Sequence, residues 1–199
     1  MTPAINQGVF VYFRSEWGLQ VIVKYHITVE DVVALHRHVM NSPTTRKNKF
    51  RWILVVMLLL AATLFIPLPE EELIRPVVVA FAVVWGAAFL ILVFVVGPAL
   101  MDRHVRGVYK EGANKGTIGQ HEIEIDENGL VERTEVNEAR WTWGGIERIE
   151  ESDTHAFIYV SSVMAHIIPK QSVFAGDPGT FIAKARELWR SANPESGAP

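Results

Sequence analysis

Two uncharged apolar runs, separated by nine residues rich in proline and glutamate, limit this chain more than anything else in it. Trp52 to Ile66 carries no charge. With Pro67 and Leu68 it reaches the shortest length that crosses roughly 30 Å of hydrocarbon at about 1.5 Å per residue. Pro76 to Met101 is longer and equally uncharged. A helix of a soluble core keeps a polar stripe on its outer face, and neither run has one. The pattern predicts a two-helix transmembrane hairpin within residues 46–110, with helices over about 52–68 and 76–100. Pro67 and Pro69 end the first helix. Neither run holds Asp, Glu, Lys, Arg or His, the groups that mark ion paths and proton relays. The hairpin therefore reads as an anchor. Ala82 and Gly86 lie one turn apart, a spacing that lets helices approach closely, with Ala61 and Ala62 as the facing surface.

Charge sets the expected orientation. Arg46, Lys47, Lys49 and Arg51 precede the first run, and Arg103, Arg106 and Lys110 follow the second. The turn between them holds Glu70, Glu71 and Glu72 with a single cation, Arg75. The positive-inside rule places both termini in the cytoplasm and the turn outside. Beside a membrane helix, the basic residues Arg46, Lys47, Lys49, Arg51, Arg103 and Arg106 read as contacts to the inner leaflet. No basic leader precedes the first apolar stretch, Gly8 to Phe13, so no cleavable signal peptide is expected.

Outside the runs the chain reads as soluble protein. Residues 1–51 carry seven basic and three acidic groups, a balance of +4; residues 117–190 carry seven and thirteen, a balance of −6. That acidic excess argues against a nucleic-acid partner. The chain has no cysteine, which removes disulfides, thiolate metal sites and cysteine nucleophiles together. Gly8–Phe13 and Leu19–Tyr25 are rich in β-branched and aromatic residues and predict two strands around a turn near Gly18. Thr28 with Asp31 forms a capping-box pattern, opening a short amphipathic helix over 29–40 that ends at Ser42–Pro43. These elements make residues 1–45 an expected part of the cytoplasmic domain. A hairpin returns the chain to the side it left, so the early strands can pair with those after Thr117.

Residues 111–192 predict a β domain. His121–Asp126 alternates, with Ile123 and Ile125 on one side and the carboxylates on the other. Asn128–Gly129 is a hairpin signal. Strands follow over 130–136, 139–143, 156–160 and 164–168, with Ile146 and Ile149 in a segment of strand or helical turn. Asp177–Pro178 caps a last helix with a stripe of Phe181, Ile182, Ala185, Leu188 and Trp189. Residues 193–199 read as a tail. The whole is α+β: an antiparallel sheet or partial barrel whose open end the last helix plugs.

The chemistry expected of this domain is recognition. The seven histidines show no metal-ligand spacing; His155 and His166 are the only pair expected to approach, across two strands, and no carboxylate is in view beside them. Glu122 and Glu124 fit a solvated strand face. No catalytic, cofactor or metal site is expected. Trp141 and Trp143, on one strand face, divide between an aromatic partner surface and core.

The order of parts also resembles a known family. Thr28-x-Glu-Asp31 opens a helix, and a basic linker and two apolar helices follow. Then come Gly119-x-His-Glu-Ile-Glu-Ile-x-Glu-x-Gly129-Leu130, Trp143-x-x-Ile146-x-x-Ile149-x-Glu151, Phe157-Ile-Tyr159 and Ala165-His-Ile-Ile-Pro169-Lys170. This resembles the YcxB-like family of bacterial membrane proteins, above all its C-terminal domain. Where that family has Ile-Pro-Lys-Arg-x-Phe, this chain has Ile168-Pro-Lys-Gln-Ser-Val-Phe174. The resemblance implies a pleckstrin-homology-like sheet with a C-terminal helix, in a bacterial inner membrane, and it carries over no reaction and no catalytic residues. The resulting expectation is a non-enzymatic binding or scaffold module. Its partners are the lipid bilayer and either another protein or a second copy, touched through Trp141, Trp143 and Lys170. A lipid-surface module and an accessory subunit of a transport complex are the alternatives.

Overall fold

A computed structural model describes residues 12–15, 18–62, 74–110, 112 and 114–194. The expected strand over Gly8–Phe13 falls largely outside these residues, as do Pro67, Pro69 and Glu70–Glu72. The described residues divide into two compact units, those up to Leu35 together with those from Tyr109 onward, and those from His36 to Val108.

The first unit is α+β with two antiparallel sheets. Strands β1 (Tyr12–Ser15), β2 (Gly18–Ile27), β3 (Gly119–Ile125), β4 (Gly129–Thr134) and β5 (Glu138–Thr142) form one sheet in that order. β2 and β3 pair over seven rungs, from Val21 with Ile125 to Ile27 with Gly119, so strands from both ends of the chain share one sheet. A second sheet holds β6 (Arg148–Glu151), β7 (His155–Tyr159) and β8 (Ala165–Pro169). The three-residue β9 (Val173–Ala175) pairs with β2 and had no signal in its short sequence.

Side-chain alternation decides which groups reach the core. On β2, Val23, Tyr25 and Ile27 are buried while Lys24 and His26 are exposed. On β3 the inward set is His121, Ile123 and Ile125. The outward carboxylates form cross-strand ion pairs: Arg133 reaches Glu124 at 2.6 Å, Glu122 at 3.1 Å and Glu138 at 2.9 Å, and Lys24 reaches Glu122 at 2.6 Å. Helix α1 (Val29–Met40) starts on the expected cap, with the Thr28 N–H and hydroxyl both donating to Asp31 Oδ2 at 2.7 Å.

The last helix, α5 (Pro178–Ala192), is capped by Asp177, which accepts from the Thr180 N–H at 2.6 Å. Phe181, Ile182 and Ala185 are fully buried. Leu188 and Trp189 are half-buried, and the Trp189 indole donates to the Ile146 carbonyl at 2.8 Å. α5 lies against β2 and against the 3₁₀ turn Trp143–Gly145, where Asn193 also donates to the Trp143 carbonyl at 3.1 Å.

The second unit is helical. Helix α2 (Pro43–Ala62) takes in the basic cluster that the sequence suggested was a linker, so the helix starts well before Trp52. Helix α3 (Ile74–Ile91) continues through a π-helical turn (Leu92–Val96) into α4 (Gly97–Lys110). From Pro76 to Lys110 this is one helix long and apolar enough to cross a membrane, with 6% of its most apolar window buried. The helix thus outruns the apolar segment by about ten residues, carrying Arg103 and Arg106 on its last turns.

Gly86 is the buried point of α3. Its neighbour is Leu60 of α2, not Ala61 or Ala62, which are exposed. A Cβ on Gly86 would sit 2.8 Å from Leu60 Cδ1, a methyl at the end of a rotatable side chain. Gly86→Ala is therefore expected to shift stability by less than about 0.5 kcal/mol. Gly86→Ile adds a branched group that rotation cannot clear and is expected to destabilise by about 1–3 kcal/mol. Unfolding of the full-length protein in mild detergent checks that order; equal effects would show that Gly86 does not set the contact. Ala82 is half-buried on the same helix.

Candidate functional site

The inward face of the first sheet ends in two polar side chains, which meet a third from the other sheet. Glu132 sits two residues after Leu130 on β4, so it shares Leu130's inward face. His121 sits two residues before Ile123 on β3, and the register places Ile123 opposite Glu132. His166 comes from β8 of the other sheet. The His121 Nδ1–H donates to Glu132 Oε1 at 2.9 Å and the His166 Nδ1–H to Oε2 at 2.8 Å. A carboxylate only accepts, so both donors are the imidazole Nδ1–H groups. The histidine side chains are 3% and 6% exposed, and Glu132 is 15%.

Burial alone would raise the Glu132 carboxyl. The hydrogen bonds and charge of His121 and His166 overcome that and hold it at about 2. The trio is framed by aromatics. Tyr25 stacks on His121 with ring centroids 5.8 Å apart, and Trp141 meets His166 edge-on at 4.3 Å. The Tyr25 hydroxyl also points at Glu132 Oε1, at 3.5 Å, and burial followed by the Glu132 charge raises that phenol well above its ordinary range.

These side chains form one wall of a cleft of about 330 Å³. Val32 and Ile167 line it as well, and Val163 and Met164 stand exposed at its rim. His121 Nε2 and His166 Nε2 are buried and have no hydrogen-bond partner among the described residues. They are the polar atoms of this wall that the protein itself leaves unsatisfied, and such buried groups call for a partner. Among the described residues no group of three His, Cys, Asp or Glu is placed to hold a metal ion.

A second histidine–carboxylate contact braces the fold elsewhere. His155 Nε2 donates to Asp31 Oδ1 at 2.9 Å, tying β7 to the start of α1. Burial opposes the Asp31 charge, and the bonds from His155 and Thr28 outweigh it and lower the carboxyl. His155 and His166 therefore do not meet: β7 pairs His155 with Pro169 and Ile158 with His166.

The residues expected to touch a partner separate. Trp141 lines the cleft, half-buried. Trp143 does not share its strand face: it opens a 3₁₀ turn, is 2% exposed, and donates its indole N–H to the Asp126 carbonyl at 2.9 Å. It is core. Lys170 is engaged internally, donating to the Ser152 carbonyl at 2.6 Å and pairing with Glu151 at 2.8 Å. Glu132, His121 and His166 were missed. Their signal was inward placement by alternation, legible for Glu132 from Leu130 and for His121 from Ile123, but nothing local linked β8 to them.

Fold and site together define an α+β domain of antiparallel strands closed by a C-terminal helix, with a buried His–Glu–His trio beside a cleft. Residues 125–185 match the model of the family described as YcxB-like protein. The match takes in Glu132, Trp141 and His166 and leaves out His121 and the strands before α1. No curated protein and no solved structure matches the chain.

Proposed function

We propose that this protein is a membrane-anchored, non-enzymatic binding module. The anchor is a two-helix hairpin made by α2 and the α3–α4 helix in a bacterial inner membrane. The β domain has a pleckstrin-homology-like arrangement and faces the cytoplasm, as do both termini. It takes its partner, a protein or a second copy of this chain, at the cleft beside His121, Glu132 and His166. The observation that carries this reading is the pair of buried, unpartnered imidazole nitrogens beneath an apolar rim. Both Glu132 oxygens are committed to those imidazoles, which favours a fixed recognition surface over proton transfer.

Two measurements test it. A photo-crosslinking residue at Met164, on the rim, is expected to give a discrete adduct in cells, absent when the residue is placed at Val136, which is exposed but outside the cleft. Identical patterns at the two positions would remove the cleft as the binding surface. For topology, single cysteines at Glu71 and Gly197 are expected to react differently with an impermeant reagent on intact cells. Position 71 labels and position 197 does not; the reverse overturns the orientation.

A further inference from the structure

The helical unit holds a cleft of its own. Arg46, Lys47, Lys49 and Arg51 of α2 line about 780 Å³ together with Phe50, Ile53 and Phe94. Phe94 belongs to the π-helical turn, where the Gly97 N–H donates to the Leu92 carbonyl five residues back. Such a turn widens the helix and re-aims its side chains, and π turns occur often at functional sites. Here it presents an aromatic ring to the basic end of α2.

Charge in this cleft is unbalanced. Among the described residues, none of the four cations has a carboxylate partner, whereas Arg37, on α1, is held by Asp102 at 2.6 Å. Arg133, Arg148, Lys170 and Arg186 of the β domain are all ion-paired. Phe50 and Phe94 stay exposed beside the unpaired cations. A ligand matching both features is an anion joined to an apolar chain. Helix α2 passes from this basic stretch directly into Trp52–Ala62, the apolar stretch read above as membrane helix, which sets the cleft at headgroup depth.

We propose that the cleft formed by Arg46, Lys47, Lys49 and Arg51 with Phe50, Ile53 and Phe94 binds one anionic phospholipid. The phosphate sits among the four cations and the acyl chains lie on the two phenylalanines and Ile53. This rests on the reading of α2 and the α3–α4 helix as a membrane anchor. Arg103 and Arg106 do not line this cleft.

Native mass spectrometry of the full-length protein released from nanodiscs of mixed phosphatidylglycerol and phosphatidylcholine tests it. The wild-type chain is expected to retain phosphatidylglycerol in preference. Each basic group near an anionic surface contributes roughly fivefold, so R46Q/K47Q/K49Q/R51Q is expected to lose about 100-fold or more of that preference. R46K/K47R/K49R/R51K keeps the charge and is expected to keep the preference. Phe94→Ala leaves every cation in place and is expected to weaken retention of both lipids. Arg190→Gln, at an exposed position on α5 of the β domain, is expected to change nothing. Undiminished preference in the neutralised variant overturns the proposal, and so does displacement of the lipid by inorganic phosphate alone, which would mark a simple anion site. A wild-type chain that does not enter nanodiscs removes the membrane reading itself. Entry without headgroup preference removes only the lipid cleft.

Discussion

Glu132→Ala is expected to destabilise the full-length protein by about 3–5 kcal/mol, because it strips the shared partner from two buried histidines at once. Both Nδ1–H groups would be left without an acceptor, on side chains only 3% and 6% exposed. Glu132→Gln keeps the shape and one acceptor, and is expected to lose less. The wild-type protein should also show an acid transition traceable to this residue. The fold holds the Glu132 carboxyl at about 2, below its ordinary 4.5. A group lowered in this way stabilises fully above the ordinary carboxylate range, and that contribution disappears as pH falls from 4.5 towards 2. The difference corresponds to about 3 kcal/mol. Thermal unfolding in mild detergent at pH 7 and at pH 3 checks it. The gap between wild type and Glu132→Gln should narrow at the lower pH; a constant gap would show that the trio does not hold the carboxylate charged.

Phe181→Ala is the second large effect. Phe181 is 0% exposed under α5, and truncating a buried phenylalanine typically costs about 3–5 kcal/mol. That is a large share of the stability of an ordinary domain. Trp189→Ala removes a half-buried ring and the bond to the Ile146 carbonyl, and about 1–3 kcal/mol is expected. Lys184 and Glu187 pair with each other at 2.7 Å on the outer face, and Glu187→Ala should cost less than about 0.5 kcal/mol. Melts of the three variants rank the positions. An unchanged melt for Phe181→Ala would mean that the stripe is a docking face rather than a plug.

How much of this was legible follows from the range of the interactions involved. The inward placement of Ile123 and Ile125, the Thr28–Asp31 cap, the Asp177 cap and the α5 stripe are set by neighbours within four residues, and the sequence displays them directly. Trp143 misled because strand alternation stops at Thr142, one residue before it, where the chain enters a 3₁₀ turn. The start of α2 misled because hydropathy marks where the apolar side chains begin, not where helical hydrogen bonding begins. The cleft trio joins β3, β4 and β8, and His166 lies 34 residues from Glu132. Only the meeting of two sheets brings those groups together.

The pairing of β2 with β3 sets a schedule for biosynthesis. Ile27 meets Gly119, a residue made ninety-two positions later. At roughly 5–20 residues per second, β2 waits on the order of 5–20 s for β3, with the backbone donors and acceptors of that edge unpaired, and longer still for β9. Helices α2, α3 and α4 are all synthesised during that interval. The central sheet therefore closes only after the apolar helices have left the ribosome, so any step those helices undergo in the meantime precedes completion of the β domain.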